Sequence, residues 1–147
     1  MNVLIDADAC PVVDIAVSLC REFQVLCILL CDTAHTIHRN GANTLIFDKG
    51  ADSVDFALVN RVSPGDIVIT QDYGLAAMCL AKRARVLHQD GWEYTQSNIS
   101  GLLEQRHAAR CFRAAGGRTK GPTKRTSAQN ELFAQALRAM LQQTVHG

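Results

Sequence analysis

The feature that most constrains this chain is an alternation of two periodicities. Short, uninterrupted apolar runs at Val3–Ile5, Val25–Cys31, Leu45–Phe47, Ile67–Ile69 and Val86–Leu87 are separated by segments with helical spacing. Runs this short that are apolar throughout read as strands buried on both faces. Between the first two, Pro11 suits a first helical turn, and Val13, Ala16, Val17 and Cys20 follow on one stripe. Val54, Leu58 and Val62 form a second stripe over 52–62, and 74–83 is rich in Ala, Leu and Met. Strands alternating with amphipathic helices imply parallel β-α-β units joined by right-handed crossovers. The expected fold class is therefore α/β: an open parallel sheet of four to five strands with flanking helices.

Residues 32–43 are polar and read as a loop, with His35 and His38 as histidines able to approach a site; Ser63-Pro64-Gly65-Asp66 is a turn. Beyond Asp90-Gly91 the texture changes. A helix is expected from Asn98 to about Ala115, a Gly/Lys/Thr-rich loop over 116–126, and a last helix over 127–143. The last helix carries Leu132, Phe133, Ala136, Leu137, Met140 and Leu141 as an apolar stripe, expected to pack onto the sheet or a second subunit. A length of 147 residues suits one domain over 1–147, with 98–147 as a helical C-terminal extension carrying a basic arm.

No apolar run approaches the roughly 20 residues of a membrane span. The opening Met-Asn-Val-Leu-Ile-Asp-Ala-Asp is acidic where a secretory signal would be basic, so a cytoplasmic location is expected. The six cysteines make no C-x-x-C pair and no zinc-finger spacing, and most read as packing residues. Cys10 is the one candidate thiol, because it lies beside Asp8 at a helix start. Phosphate-loop, dinucleotide and nucleophile-elbow motifs are absent.

Ligands of open parallel sheets bind beyond the carboxyl ends of strands, where strand order reverses. Asp6 and Asp8 follow the first strand and Asp72 follows the fourth, after Thr70-Gln71; Asp52 and Asp55 open the helix after the third. Carboxylates that share a small volume repel one another unless a cation offsets the repulsion, and hard oxygen donors suit Mg²⁺ or Mn²⁺. Asp6, Asp8, Asp52, Asp55 and Asp72 are thus the candidate catalytic acids, with Asp6, Asp72 and Asp8 as metal ligands. Thr70 could hydrogen-bond a ligand or a carboxylate. Helix-start, cap and solvated-loop roles remain the alternatives for these acids. Asp66 precedes a strand, at the opposite end, and reads as turn chemistry.

Charge is divided along the chain. Residues 1–72 hold ten acids and four Lys or Arg, whereas 73–147 hold four acids and eleven Lys or Arg. No acid lies between Glu104 and Glu131, a stretch containing Arg106, Arg110, Arg113, Arg118, Lys120, Lys124 and Arg125. Arg106, Arg110 and Arg113 share a helix face. These seven are the candidate nucleic-acid contacts, phosphate binding being the usual work of such a footprint; a solvated helix or a subunit contact is the alternative.

The strings Asp6-Ala7-Asp8-Ala9-Cys10-Pro11-Val12, Gly50-Ala51-Asp52-Ser53-Val54-Asp55 and Gly65-Asp66-Ile67-Val68-Ile69-Thr70-Gln71-Asp72 with Leu75-Ala76-Ala77 resemble the YaiI/YqxD family of uncharacterised bacterial proteins. Gly91, Glu93-Tyr94-Thr95, Asn98-Ile99, Gly121-Pro122 and Phe133 with Ala136-Leu137 extend the resemblance over nearly the whole chain. It implies a PIN-like fold, related to nucleases that use clustered aspartates with Mg²⁺ or Mn²⁺, with Asp6 and Asp72 matching their strand-end acids and Asp52 or Asp55 the acid of the middle helix. The chain departs from the family pattern at His107, where an acid is common, at Gln129, where an aspartate usually stands, and in the 32–43 loop. The leading expectation is a Mg²⁺- or Mn²⁺-dependent phosphodiesterase acting on RNA or another nucleic acid. The alternatives are a non-catalytic RNA- or nucleotide-binding module and a homodimeric interaction protein.

Overall fold

The computed structural model describes residues 1–8, 10–34, 36–48, 53–117 and 124–146, without the side chains of residues 145 and 146. The elements run β1 (Asn2–Asp6), α1 (Val13–Glu22), β2 (Leu26–Asp32), β3 (Asn43–Phe47), α2 (Ser53–Arg61), β4 (Ile67–Ile69), α3 (Tyr73–Ala81), β5 (Arg85–Leu87), β6 (Glu93–Tyr94), α4 (Gln96–Ala114) and α5 (Ser127–His146). The strands form one open sheet in the order β3-β2-β1-β4-β5-β6. The first five are parallel and β6 is antiparallel to β5. The sheet thus has one strand more than the four or five expected. Glu93–Tyr94 is too short to show a period, and only its pairing with Val86 and Leu87 makes it a strand.

The uninterrupted apolar runs follow from burial on both faces of the sheet. Val3, Ile5, Cys27, Leu29, Ile67 and Ile69 pack against α1 and α5. Leu4, Leu30, Val68 and Val86 pack on the other side with α2, α3 and α4. Helix α5 completes the first layer: Phe133, Leu137, Met140 and Leu141 are buried there, whereas Leu132 is 55% exposed and leaves the expected stripe. Glu22 and Arg138 clamp α1 to α5 with paired hydrogen bonds of 2.8 and 3.1 Å.

Two connections position the site. From β1 the chain crosses through α1 to β2 on one side, and from β3 it returns through α2 to β4 on the other. The order therefore reverses between β1 and β4, whose register pairs Ile5 with Ile69. At the far end of the same strands Asp66 is buried, and its carboxylate accepts the backbone N–H of Asn2 and of Ser63, each at 2.9 Å. That is turn chemistry which also ties β1 to the start of β4. Among the described residues no helix is long and apolar enough to cross a membrane.

Candidate active site

Asp6 is the last residue of β1 and Thr70 the first beyond β4. The Ile5–Ile69 register sets them side by side at the reversal point. The buried Thr70 hydroxyl donates to Asp6 Oδ2 at 3.0 Å and accepts the backbone N–H of Asp72 at 3.0 Å, so one oxygen joins the Asp6 carboxylate to the Asp72 backbone. Asp72 caps α3: its Oδ1 accepts the N–H of Gly74 at 2.9 Å and of Leu75 at 3.2 Å. The cap fixes the rotamer of this carboxylate and uses helix donors that would otherwise lack partners.

Asp8 follows β1 in a turn, and Asp55 lies in the first turn of α2. Their proximity registers on Asp6, whose carboxyl is pushed up to about 7. Burial is the main cause; the negative charges of Asp55, Asp8 and Asp72 add to it, and the Thr70 hydrogen bond opposes it. Asp52 lies outside the described residues. An acid held this way resists ionisation, and a cation placed against it would reverse that. Among the described residues no group of three or more His, Cys, Asp or Glu stands ready to enclose a metal. Mg²⁺, however, commonly binds one or two carboxylates and keeps several waters. The hydrogen bonds described take up Asp6 Oδ2 and Asp72 Oδ1, leaving the second oxygen of each as a hard donor. The donor chemistry suits a water-rich cation rather than a closed protein cage.

Arg106 brings the basic segment to the acids. From α4 its Nη1 donates to Asp72 Oδ1 at 3.1 Å. Arg110 lines a hollow of about 250 Å³ with Leu103, Arg106 and His107. Arg113 and Lys124 are exposed, and Arg118 and Lys120 lie outside the described residues. Arg125, a candidate nucleic-acid contact by sequence, is half-buried. Its guanidinium donates to Asp90 Oδ1, the Gln89 carbonyl and Asn130 Oδ1, each at 2.7 Å, tying the start of α5 to the β5–β6 connection. Cys10 is half-buried and its thiol is pushed up to about 11, chiefly by burial. At neutral pH it is a thiol, not a thiolate, and therefore a poor nucleophile. His38 lines a separate hollow with Arg39, Asn43 and Thr44, and His35 lies outside the described residues.

Three residues of the site were not singled out from the sequence. Phe56, Met78 and Gly74 line a cleft of about 280 Å³ together with Asp55, Asp72, Leu75 and Arg106. The signal was present for Phe56, an aromatic residue off the Val54–Leu58–Val62 stripe of α2 and therefore on its outer side. Gly74 carried none, since only the fold places Asp72 and Arg106 within 3.4 Å of where its Cβ would be.

The sequence model described as the uncharacterised YaiI/YqxD family matches residues 4–143. Among similar curated proteins, the UPF0178 protein of Exiguobacterium sibiricum is 50% identical over 141 residues, covering 96% of each chain. That of Natranaerobius thermophilus is 44% identical over 97% of each chain. That of Clostridium acetobutylicum is 45% identical over 96% of this chain and 97% of its own. No solved structure matches the chain.

Proposed function

Since the chain belongs to the uncharacterised YaiI/YqxD family, we propose its function from the site itself: a divalent-metal-dependent phosphodiesterase, a PIN-like nuclease of the cytoplasm acting on RNA or another nucleic acid. The observation that carries this reading is the gathering of acids at the reversal point, where Thr70 joins the Asp6 carboxylate to the Asp72 backbone and Asp6 lies in the field of Asp55, Asp8 and Asp72. Asp6 and Asp72 would hold Mg²⁺ or Mn²⁺, with Asp8 beside them and Asp52 and Asp55 supplying further negative charge. Such a cation, when bound, activates water and stabilises charge developing at phosphorus.

The remaining work falls to the chain's own groups. Thr70 fixes the orientation of Asp6, and the α3 cap fixes that of Asp72. Arg106 presents guanidinium N–H groups beside the carboxylates, where they can grip a phosphate oxygen. Arg110, Arg113 and Lys124 extend positive charge along the same segment, to which Arg118 and Lys120 add by sequence.

The test is hydrolysis of a short RNA with Mn²⁺ by the wild type and by Asp72→Asn. Asparagine keeps the helix cap, so the substitution removes charge without removing the fold. The variant is expected to lose nearly all turnover; equal rates remove the reading. A second reading, a non-catalytic RNA- or nucleotide-binding module, is favoured by the Arg106–Asp72 ion pair, which partly offsets the acids with no cation needed. It predicts metal-independent, steeply salt-sensitive binding and no cleavage products.

A further inference from the structure

We propose that the cleft between α2, α3 and α4 is a nucleobase subsite, in which one unpaired base lies against Phe56 and Met78 while the phosphate attached to it is held by Arg106. The proposal deepens the phosphodiesterase reading and rests on it for the kind of ligand. Helix α2 buries Val54, Ala57 and Leu58, which turns Phe56 outward, 61% exposed. Met78 of α3 is also exposed, at 39%. Single exposed apolar side chains need no explanation. These two come from different helices and line one hollow, whose remaining wall holds Arg106 and the site carboxylates Asp55 and Asp72.

The hollow is thus apolar and aromatic at one end, and at the other the Arg106 guanidinium stands among the carboxylates of the proposed phosphodiester site. A nucleotide has the same layout, a flat ring followed by an anion. A phenyl face accepts any base, since every base has a π-face, and a thioether packs well on an aromatic ring. About 280 Å³ is at the small end for ligand sites and holds one ring system, not a base pair. The strand that enters must therefore be unpaired at this position. Gly74 leaves room at the Arg106–Asp72 pair: a Cβ there would stand 3.3 Å from Asp72 Oδ1, slightly tight, and 3.4 Å from Arg106 Nη1, in ordinary contact.

The test compares adenosine monophosphate with ribose phosphate, both bound to the full chain in EDTA and followed by calorimetry or ligand-observed NMR. The phosphate is common to the two probes, so its interaction with the carboxylates cancels. The nucleotide is expected to bind about tenfold tighter or more, the usual scale of one base–aromatic stack. Phe56→Ala removes that preference with an unchanged circular dichroism spectrum, and Phe56→Trp restores it. Equal affinities in the wild type, or an unchanged preference in Phe56→Ala, overturn the subsite. A Phe56-dependent preference in a chain that never cleaves RNA keeps the subsite and removes the phosphodiesterase. Cleavage of RNA with the same KM in Phe56→Ala removes the subsite alone.

Discussion

Replacing Asp6 by asparagine is expected to stabilise this protein at alkaline pH, the opposite of the usual outcome for a substitution in a well-packed site. In the folded chain Asp6 keeps its proton to about pH 7, against an ordinary 3.8. Between those two values the folded state holds a proton that the unfolded state has released, so stability falls as pH rises through the window and the loss is complete by about pH 8. One pH decade corresponds to about 1.4 kcal/mol. The full cost is then up to roughly 4 kcal/mol, and roughly 2–4 kcal/mol once water at the partly exposed carboxyl is allowed for. Asparagine has the same shape and can still accept the Thr70 hydroxyl, but carries no charge to desolvate or to repel Asp8, Asp55 and Asp72. At pH 8 the variant should melt roughly 5–15 °C above the wild type, on the usual scale of about 2–4 °C per kcal/mol for a chain of this size. At pH 4 the two should nearly coincide. The assay is thermal or urea unfolding of both proteins from pH 4 to 8.5, with EDTA and again with millimolar Mn²⁺. The cation should raise the wild-type curve at pH 8 and leave that of the variant nearly unmoved. An Asp6→Asn protein that is less stable at pH 8, or a wild-type pH slope that persists in the variant, would refute the reasoning.

Three further outcomes are expected. Asp66→Ala should cost about 2–4 kcal/mol in urea unfolding, because two backbone N–H groups lose a buried charged acceptor; Mn²⁺ binding should be unchanged, since Asp66 lies at the other end of the strands. Arg125→Ala should cost about 1–3 kcal/mol and speed proteolysis just before α5, while leaving the salt dependence of RNA binding as it was, because the guanidinium is spent on Asp90, Gln89 and Asn130. Thiol titration at pH 8 should find Cys111, which is exposed, reacting fast, and Cys10 far more slowly, its thiol being pushed up to about 11; comparable rates would remove the burial account of Cys10.

The core was legible where local pattern and burial coincide. Ile67–Ile69 is a strand over the residues expected, and α1 buries the expected stripe of Val13, Ala16, Val17 and Cys20, because an apolar run flanked by a Pro-Gly turn or a helical stripe leaves few alternatives. Helix α4 begins at Gln96 rather than Asn98, because Thr95 and Asn98 form a reciprocal cap in which Thr95 N–H donates to the Asn98 side chain and Asn98 N–H to the Thr95 hydroxyl. That signal is present in the sequence, its capping residue Thr95 lying three residues before Asn98. The crossover from β2 to β3 is less ordinary. It joins two parallel neighbours without a helix among its described residues, and its polar composition accordingly carried no helical period.

The sequence by itself determined which segments are strands and helices, β6 excepted, and which acids end them, since these depend on residues a few positions apart. Strand order was beyond its reach. Asp32 also ends a strand, β2, yet it belongs to the other side of β1, and its carboxylate accepts Ala34 N–H in a local turn. Asp6 meets Thr70 only because β4, and not a later strand, is hydrogen-bonded to the free side of β1. The Arg106–Asp72 pair and the Phe56–Met78 cleft are likewise products of helices packed on one face of the sheet. Local periodicity is written in neighbouring residues, whereas pairing between distant elements is decided by the burial and hydrogen bonding of the whole chain at once.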